Sequence, residues 1–328
     1  MRNRFILLIF AFIIFEGCCP QIYVPNHNPD PLPPFYVPEK IRVALVLGSG
    51  GIRGMAHLGV LEELEEAGIP IDIIVGCSAG SIVGALYADN PNVQEIKSAV
   101  WNIRTDYILD IDLINCRYGL SQGRCLRRLL NFYLTSRNFE ELKIPLIVVA
   151  SDLCTGELVP IGSGDLVQAV QASCSIPFVF APCQHYDRVL VDGGVINPVP
   201  VKVARDLGAD IVIAVDLCEL LPKTFPNHLF GVITRSAEIA FRWQNEVCTH
   251  RANVIIRPKT CGVGTFNEKM KNEIYESGRR AAREQIAQIK ACLNALPSRY
   301  FDGPQSRCLV QLDPYPPEVY HEEPCDSR

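Results

Sequence analysis

A serine stands at the centre of Gly76-Cys77-Ser78-Ala79-Gly80, between the apolar run 71–75 and the helix-like stretch 81–88. A strand that turns straight into a helix crowds its own backbone, so small residues flank the turn, and glycine accepts its positive φ angles most cheaply. The turn lifts the middle side chain into the open, which is the setting of a serine nucleophile. The first N–H groups of the following helix carry partial positive charge toward the same point, where an oxyanion would develop. Cys77 is the adjacent rival, but the exposed middle position belongs to Ser78. Alone, the pentapeptide also fits a plain strand-to-helix turn.

A second glycine-rich turn lies upstream, Gly48-Ser49-Gly50-Gly51-Ile52-Arg53-Gly54, after the strand-like run 41–47. The helix that follows reads clearly: Met55, Leu58, Leu61 and Leu64 recur at helical spacing, and Glu62, Glu63, Glu65 and Glu66 are expected on the wet side. Gly68 and Pro70 end it, and 71–75 is the next parallel strand. In a right-handed β-α-β unit both glycine turns reach the same carboxyl edge of the sheet, so N–H groups of the first can face Ser78. A third turn, Asp192-Gly193-Gly194, follows the short apolar run 189–191.

In this order, a glycine-rich turn with an arginine, a G-x-S-x-G and a later D-G-G resemble the patatin-like phospholipases, the family of patatin and the neuropathy-target-esterase relatives. The resemblance covers about residues 43–217. It extends to Ala150-Ser151-Asp152-Leu153 with Thr155-Gly156, to Ala172-Ser173 with Ile176-Pro177, and to Asp192 through Pro200. It implies a three-layer α/β/α sandwich with a mainly parallel central sheet, and a Ser-Asp dyad with Ser78 as nucleophile and Asp192 as its base. It also implies an oxyanion hole around Gly50 and Gly51, and Arg53 as a brace of the glycine loop. Gly48, Gly54, Gly76, Gly80, Gly193 and Gly194 complete the motifs. Two positions depart from the family pattern. Ser49 stands where the first glycine of G-x-G-x-x-G is usual, tolerable at negative φ, and Cys77 stands where threonine is common.

Physical chemistry supports a dyad independently. An acyl hydrolase must deprotonate a hydroxyl, stabilise a tetrahedral oxyanion and return a proton to the leaving alkoxide. A carboxylate held against the serine in a partly dry site does the proton work, because desolvation raises its pKa. The competing reading is a Ser-His-Asp triad with Asp152 or Asp165 and His185 or His250, though none of these histidines sits in a distinctive loop. His57 reads as a packing or hydrogen-bonding residue. A phosphate loop at 48–54 lacks the G-K-[ST] ending, and its ribose-binding carboxylate would have to be Asp72, before a strand rather than at its end. A lipid-binding lipoprotein with a dead site is the non-enzymatic alternative.

The 328 residues, 48% apolar, suffice for one substantial core. Strands are expected at 41–47, 71–75, 145–150 and 211–217, with a hairpin-like pair at 157–161 and 189–191. Helices are expected at 123–134, 165–172 and 200–207, and their alternation with strands implies an α/β sheet wrapped by helices. The organisation reads as a signal segment (1–17), a proline-rich tether (18–40) and a catalytic core (41–217). A helical part of the same domain (218–296), with helices at 231–250 and 267–296 around a strand at 254–257, and an irregular tail (297–328) follow. Residues 105–122 form either a lid or an ordinary surface connection.

Arg2 and Arg4 precede an apolar run over 5–15, too short to span a bilayer but suited to a signal h-region. Gly17-Cys18 resembles the lipobox of bacterial lipoproteins, with Cys18 as the lipidated residue, although Phe15 and Glu16 match it poorly. This points to a membrane-anchored lipoprotein outside the cytoplasm, the alternative being a secreted protein. The partners implied are lipids at a membrane surface. Net charge −5 with no basic tract does not point to nucleic acid. Arg124, Arg127 and Arg128 form a compact basic cluster, read as a solvated helix face or a contact for lipid phosphate. Fourteen cysteines show neither C-x-x-C pairs nor metal-ligand spacing; no metal or cofactor is called for, and Cys308 could pair with Cys325. Oligomeric state is not legible.

Overall fold

The structure, a computed structural model, describes residues 23, 26–101, 103, 107–111, 116–218, 225–260, 270–296 and 306–316. The expected signal segment, Cys18 and Cys325 lie outside these residues. The ten cysteines within them are all free thiols.

The first strand, β1 (Phe35–Pro38), precedes the sheet proper. The chain then runs β2 (Val43–Leu47), a 3-10 turn over Gly51–Gly54, helix α1 (Met55–Glu66), β3 (Ile73–Cys77) and α2 (Ala79–Asp89). This is the β-α-β-α start that the two glycine turns imply. Gly68, at φ +68°, ends α1 in the left-handed conformation that glycine tolerates. Helix α3 (Val93–Val100) and helix α4 (Arg124–Tyr133) lead to β4 (Leu146–Asp152) and β5 (Leu158–Ile161). After them come α5 (Leu166–Ser173), β6 (Cys183–His185), β7 (Arg188–Asp192), α6 (Val201–Asp206) and β8 (Ile211–Val215). The last elements are α7 (Leu229–Thr249), β9 (Val254–Ile256), α8 (Lys271–Asn294) and β10 (Arg307–Val310).

Strands β4, β3, β2, β8 and β9 lie side by side in that order, all parallel. Their apolar side chains alternate between two cores. Val43, Leu45 and Leu47 of β2 join the layer containing α1, α2 and α8, while Ala44 and Val46 join the opposite layer with α6. The chain is thus an α/β fold with helices on both faces of a mostly parallel sheet.

Three expectations need correction. The segments near 157–161 and 189–191 do not pair with each other: β5 pairs with β4, and β7 pairs with β4 and with β6. Strand β6 is only three residues long and carries no alternation to read. Glu62 and Glu63 are buried rather than on a wet face, because α8 covers that side of α1. Arg279 and Arg283 of α8 meet Glu63 at 2.7 and 2.6 Å. The two helices cross with backbones nearly touching: a Cβ at Gly59 would lie 2.1 Å from Tyr275 O, and one at Gly278 would lie 2.1 Å from Ala56 O. Finally, the tether and tail are not wholly irregular. β1 and β10 pair antiparallel, and Phe35 and Val37 are buried.

Candidate active site

Sheet topology brings the Ser78 and Asp192 motifs together. Val148 and Val149 of β4 pair with both β3 and β5, and Ala150 and Ser151 pair with both β5 and β7. Strands β3 and β7 therefore share one edge of β4, β3 parallel to it and β7 antiparallel. They meet end to end, Cys77 opposite Val149 and Asp192 opposite Ala150. The residue after β3 is Ser78, and its Oγ donates to Asp192 Oδ2 at 2.5 Å.

The turn at Ser78 is strained, with φ 53° and ψ −119°, a conformation that costs a non-glycine residue of order 1–3 kcal/mol. The flanking glycines answer to space rather than to φ. A Cβ at Gly76 would lie 2.7 Å from Ser81 Cα, and one at Gly80 would lie 2.0 Å from Leu47 O. The positive φ falls on Ser78 itself, and hydrogen bonds hold it there. Ser78 N–H donates to Ser173 Oγ at 2.9 Å, and Ser78 O accepts from Ser81 N–H at 2.8 Å and Ser81 Oγ at 2.6 Å. Helix α2 begins immediately after, its positive end at the serine.

Asp192 is fixed equally closely. Its N–H donates to Ser175 O at 2.9 Å, its carbonyl accepts from Ser151 Oγ at 3.0 Å, and Oδ1 accepts from Gly194 N–H at 2.7 Å. The carboxyl is buried, and that burial pushes its pKa up to about 6, against the opposing pull of the Ser78 and Gly194 hydrogen bonds. A Cβ at Gly193 would lie 2.5 Å from Val149 O, so only glycine lets this turn lie against β4. Cys77 Sγ lies 4.0 Å from Asp192 Oδ1. Burial, and next the Asp192 charge, hold its thiol well above the ordinary range, so it stays protonated.

The glycine loop is pinned above the same edge. Gly48 N–H donates to Val215 O at 3.1 Å and Ser49 N–H to Pro198 O at 2.9 Å. Ser49 is not among the residues with positive φ. Arg53 Nε donates to Gly50 O at 3.1 Å. A Cβ at Gly50 would lie 2.8 Å from Leu217 Cδ1, one at Gly54 would lie 2.8 Å from Ala79 Cβ, and Gly51 has φ 58°. Gly51 opens the 3-10 turn, so its N–H has no acceptor within that turn. Fully buried His57 contacts Gly48 O through Nε2 at 2.8 Å, and burial lowers its pKa to about 4. It is therefore neutral and donates there.

The histidines and acids of a triad lie elsewhere. His185 ends β6 beside Tyr186, their rings 3.9 Å apart, opposite Arg188 at the far end of β7 from Asp192. His250 is exposed at the end of α7. Asp152 pairs with buried Arg188 at 3.0 Å, and Asp165 caps α5 through Gln168 N–H.

Ser78 and Gly51 also line a cavity of about 170 Å³. Its walls are almost wholly apolar: Ile82 and Leu86 of α2, Leu126 and Leu130 of α4, Met55 of α1, and Phe180. It follows α2 from Ala79 to Leu86, about 10 Å at the rise of an α-helix. Ile108 and Leu109 form part of the wall, so the 105–122 segment, where described, borders the cavity. The sequence reading missed this cavity, and it missed the roles of Ser151 and Ser173. The one available signal was the spacing of Leu126, Leu129, Leu130 and Tyr133, an apolar face opposite the α4 arginines.

The patatin-like phospholipase family model matches residues 45–205. The mouse patatin-like phospholipase domain-containing protein 6 is 35% identical over 181 residues, 53% of this chain and 13% of the relative's length. An NTE family protein of Mycobacterium bovis is 36% identical over 177 residues, 54% of this chain and 49% of its own length. The chain thus spans at most about half the length of these curated relatives. Among solved structures, VipD from Legionella pneumophila superposes with TM-score 0.50 at 14% identity, over 84% of this chain and 72% of that one, a likeness of fold alone.

Proposed function

We propose that this chain, whose residues 45–205 belong to the patatin-like phospholipase family, is a serine lipid acyl hydrolase working through a Ser78–Asp192 dyad. The observation that carries this reading is the Ser78 hydroxyl, bonded to a buried carboxylate at 2.5 Å and opening into an apolar cavity.

Asp192 accepts the Ser78 proton as Oγ attacks the ester carbonyl carbon, and a carboxylate with pKa about 6 is well matched to that task near neutral pH. The tetrahedral oxyanion receives N–H groups of Gly50 and Gly51, with the α2 N-terminus behind the serine. One such donor is worth roughly 2.7–4 kcal/mol in other hydrolases. Arg53 holds the Gly50 carbonyl and with it the peptide plane of the Gly51 N–H, while His57 anchors the start of the loop through the Gly48 carbonyl. Collapse breaks the C–O bond to the alcohol, whose oxygen takes the proton from Asp192, and leaves acyl-Ser78. Water then attacks the acyl carbon while Asp192 takes its proton; Ser78 leaves with that proton and the carboxylic acid departs.

The apolar cavity supports a lipid acyl ester as the substrate class, with its chain taken to lie along α2. Each methylene it buries is worth ~0.8 kcal/mol, about fourfold in kcat/KM. With p-nitrophenyl esters of increasing length, kcat/KM should climb by about that factor per methylene until the cavity is filled. Leu86→Trp should flatten the climb for the longer esters and leave the acetate ester unaffected. A profile flat from the start, or one that Leu86→Trp does not alter, would refute the acyl-cavity reading.

For cellular placement, Cys18 is proposed as a lipid anchor outside the cytoplasm, since several acyl chains on one cysteine give stable attachment. Cys18→Ser should leave an unprocessed precursor, and Cys19→Ser should not. Normal cleavage of Cys18→Ser would favour an ordinary secretory signal.

A further inference from the structure

We propose that the outer face of α4 is a docking surface for a bilayer rich in anionic phospholipid, which brings the helix that walls the acyl cavity onto the membrane. This rests on the lipid reading of the cavity given above.

Helix α4 has two faces of opposite character. Leu126, Leu129, Leu130 and Tyr133 turn inward as part of the cavity wall. Arg124, Arg127, Arg128 and Asn131 recur at helical spacing on the opposite face, and all four are exposed. Asp110 pairs with Arg124 at 2.9 Å, so Arg127 and Arg128 are the charges this face chiefly offers. Such a cluster is notable on a chain of net charge −5, because general electrostatics would not draw this protein to an anionic surface.

Large apolar side chains accompany the arginines. Phe132, 80% exposed, stands at the shoulder of the same helix. Tyr107, Ile111 and Phe178 are each more than 60% exposed, and the segments carrying them are tied to the start of α4. Ile111 bridges Ser121, Ser121 Oγ donates to Asp110 Oδ1 at 2.6 Å, and Leu120 N–H donates to Phe178 O at 3.2 Å. The same segment supplies Ile108 and Leu109 to the cavity wall. Cations that meet phosphate, with aromatic and aliphatic groups beside them, suit an interface with acyl chains below the headgroups. A nucleic acid or an acidic protein would match the charges but not the apolar groups beside them. The bilayer that docks here is also the source of the chain that enters the cavity.

The test measures binding of the full chain carrying Ser78→Ala, which leaves vesicles intact. The readout is the affinity for vesicles of equimolar phosphatidylcholine and phosphatidylserine divided by the affinity for phosphatidylcholine alone. Each arginine near an anionic surface is worth roughly fivefold. Adding Arg127→Gln and Arg128→Gln should therefore lower the ratio roughly 25-fold. Arg127→Lys with Arg128→Lys should preserve it, and added salt should erase it. In the chain with Ser78 intact, the two glutamine substitutions should leave hydrolysis of a soluble short-chain ester unchanged, which also shows that the variant folds. An unchanged ratio in the glutamine variant, or equal binding of the parent to both vesicles, overturns the proposal. Failure of the catalytic reading is seen separately, as an unmodified chain that leaves the soluble ester intact.

Discussion

Asp192→Asn should lower kcat/KM roughly 10³-fold, within the range a positioned general base contributes, and should at the same time make the protein more stable. Asparagine fills the same space and can still accept from Gly194 N–H, but it cannot take the Ser78 proton. The stability gain follows from burial. In the folded state the carboxyl keeps its proton up to about pH 6, whereas its ordinary pKa is 3.8. Between those values the folded state holds the extra proton, so stability falls as pH rises through this window and is flat above it. The difference corresponds to about 3 kcal/mol at neutral pH, and Asn avoids that cost. Denaturation at pH 7.5 should thus show Asp192→Asn above the parent, with the gap closing below about pH 4.

The activity of the parent should rise with pH through about 6, as Asp192 loses its proton. A histidine base would produce an acid limb in nearly the same place, near 6.5, so the substitutions decide. His185→Ala and His250→Ala should keep most of the turnover. An active Asp192→Asn, or a well-folded histidine variant without activity, would contradict the dyad.

How much of this was legible beforehand depends on how local each feature is. The glycine turns and the helix of Met55, Leu58, Leu61 and Leu64 announce themselves within a few residues, because close backbone approach and helical period leave direct marks. The neighbourhood of Ser78 and Asp192 was reachable only through motif order. Its physical cause, β3 and β7 meeting end to end on one edge of β4, is a matter of pairing across more than a hundred positions. Features that depend on distant partners were misread or missed. Glu62 and Glu63 look like solvated residues until α8 arrives with Arg279 and Arg283. Phe35 and Val37 look like part of a leash until β10 pairs with them. The acyl cavity belongs to no single element, since α1, α2, α4 and loop residues each contribute only a few side chains to it. Ser173 and Ser151 stood in quoted motif blocks, but nothing in their spacing says that one holds the nucleophile's N–H and the other the base's carbonyl.

The central claim, that Ser78 is a nucleophile activated by its neighbour and forms an acyl intermediate, is tested most directly by locating a covalent adduct. The purified chain is treated with a fluorophosphonate and its peptides are mapped by mass spectrometry. A single adduct should appear on Ser78, be absent in Ser78→Ala, and form far more slowly in Asp192→Asn. Cys77, buried and protonated, should stay unmodified. An adduct that persists in Ser78→Ala, or one that maps to Cys77, would contradict the account.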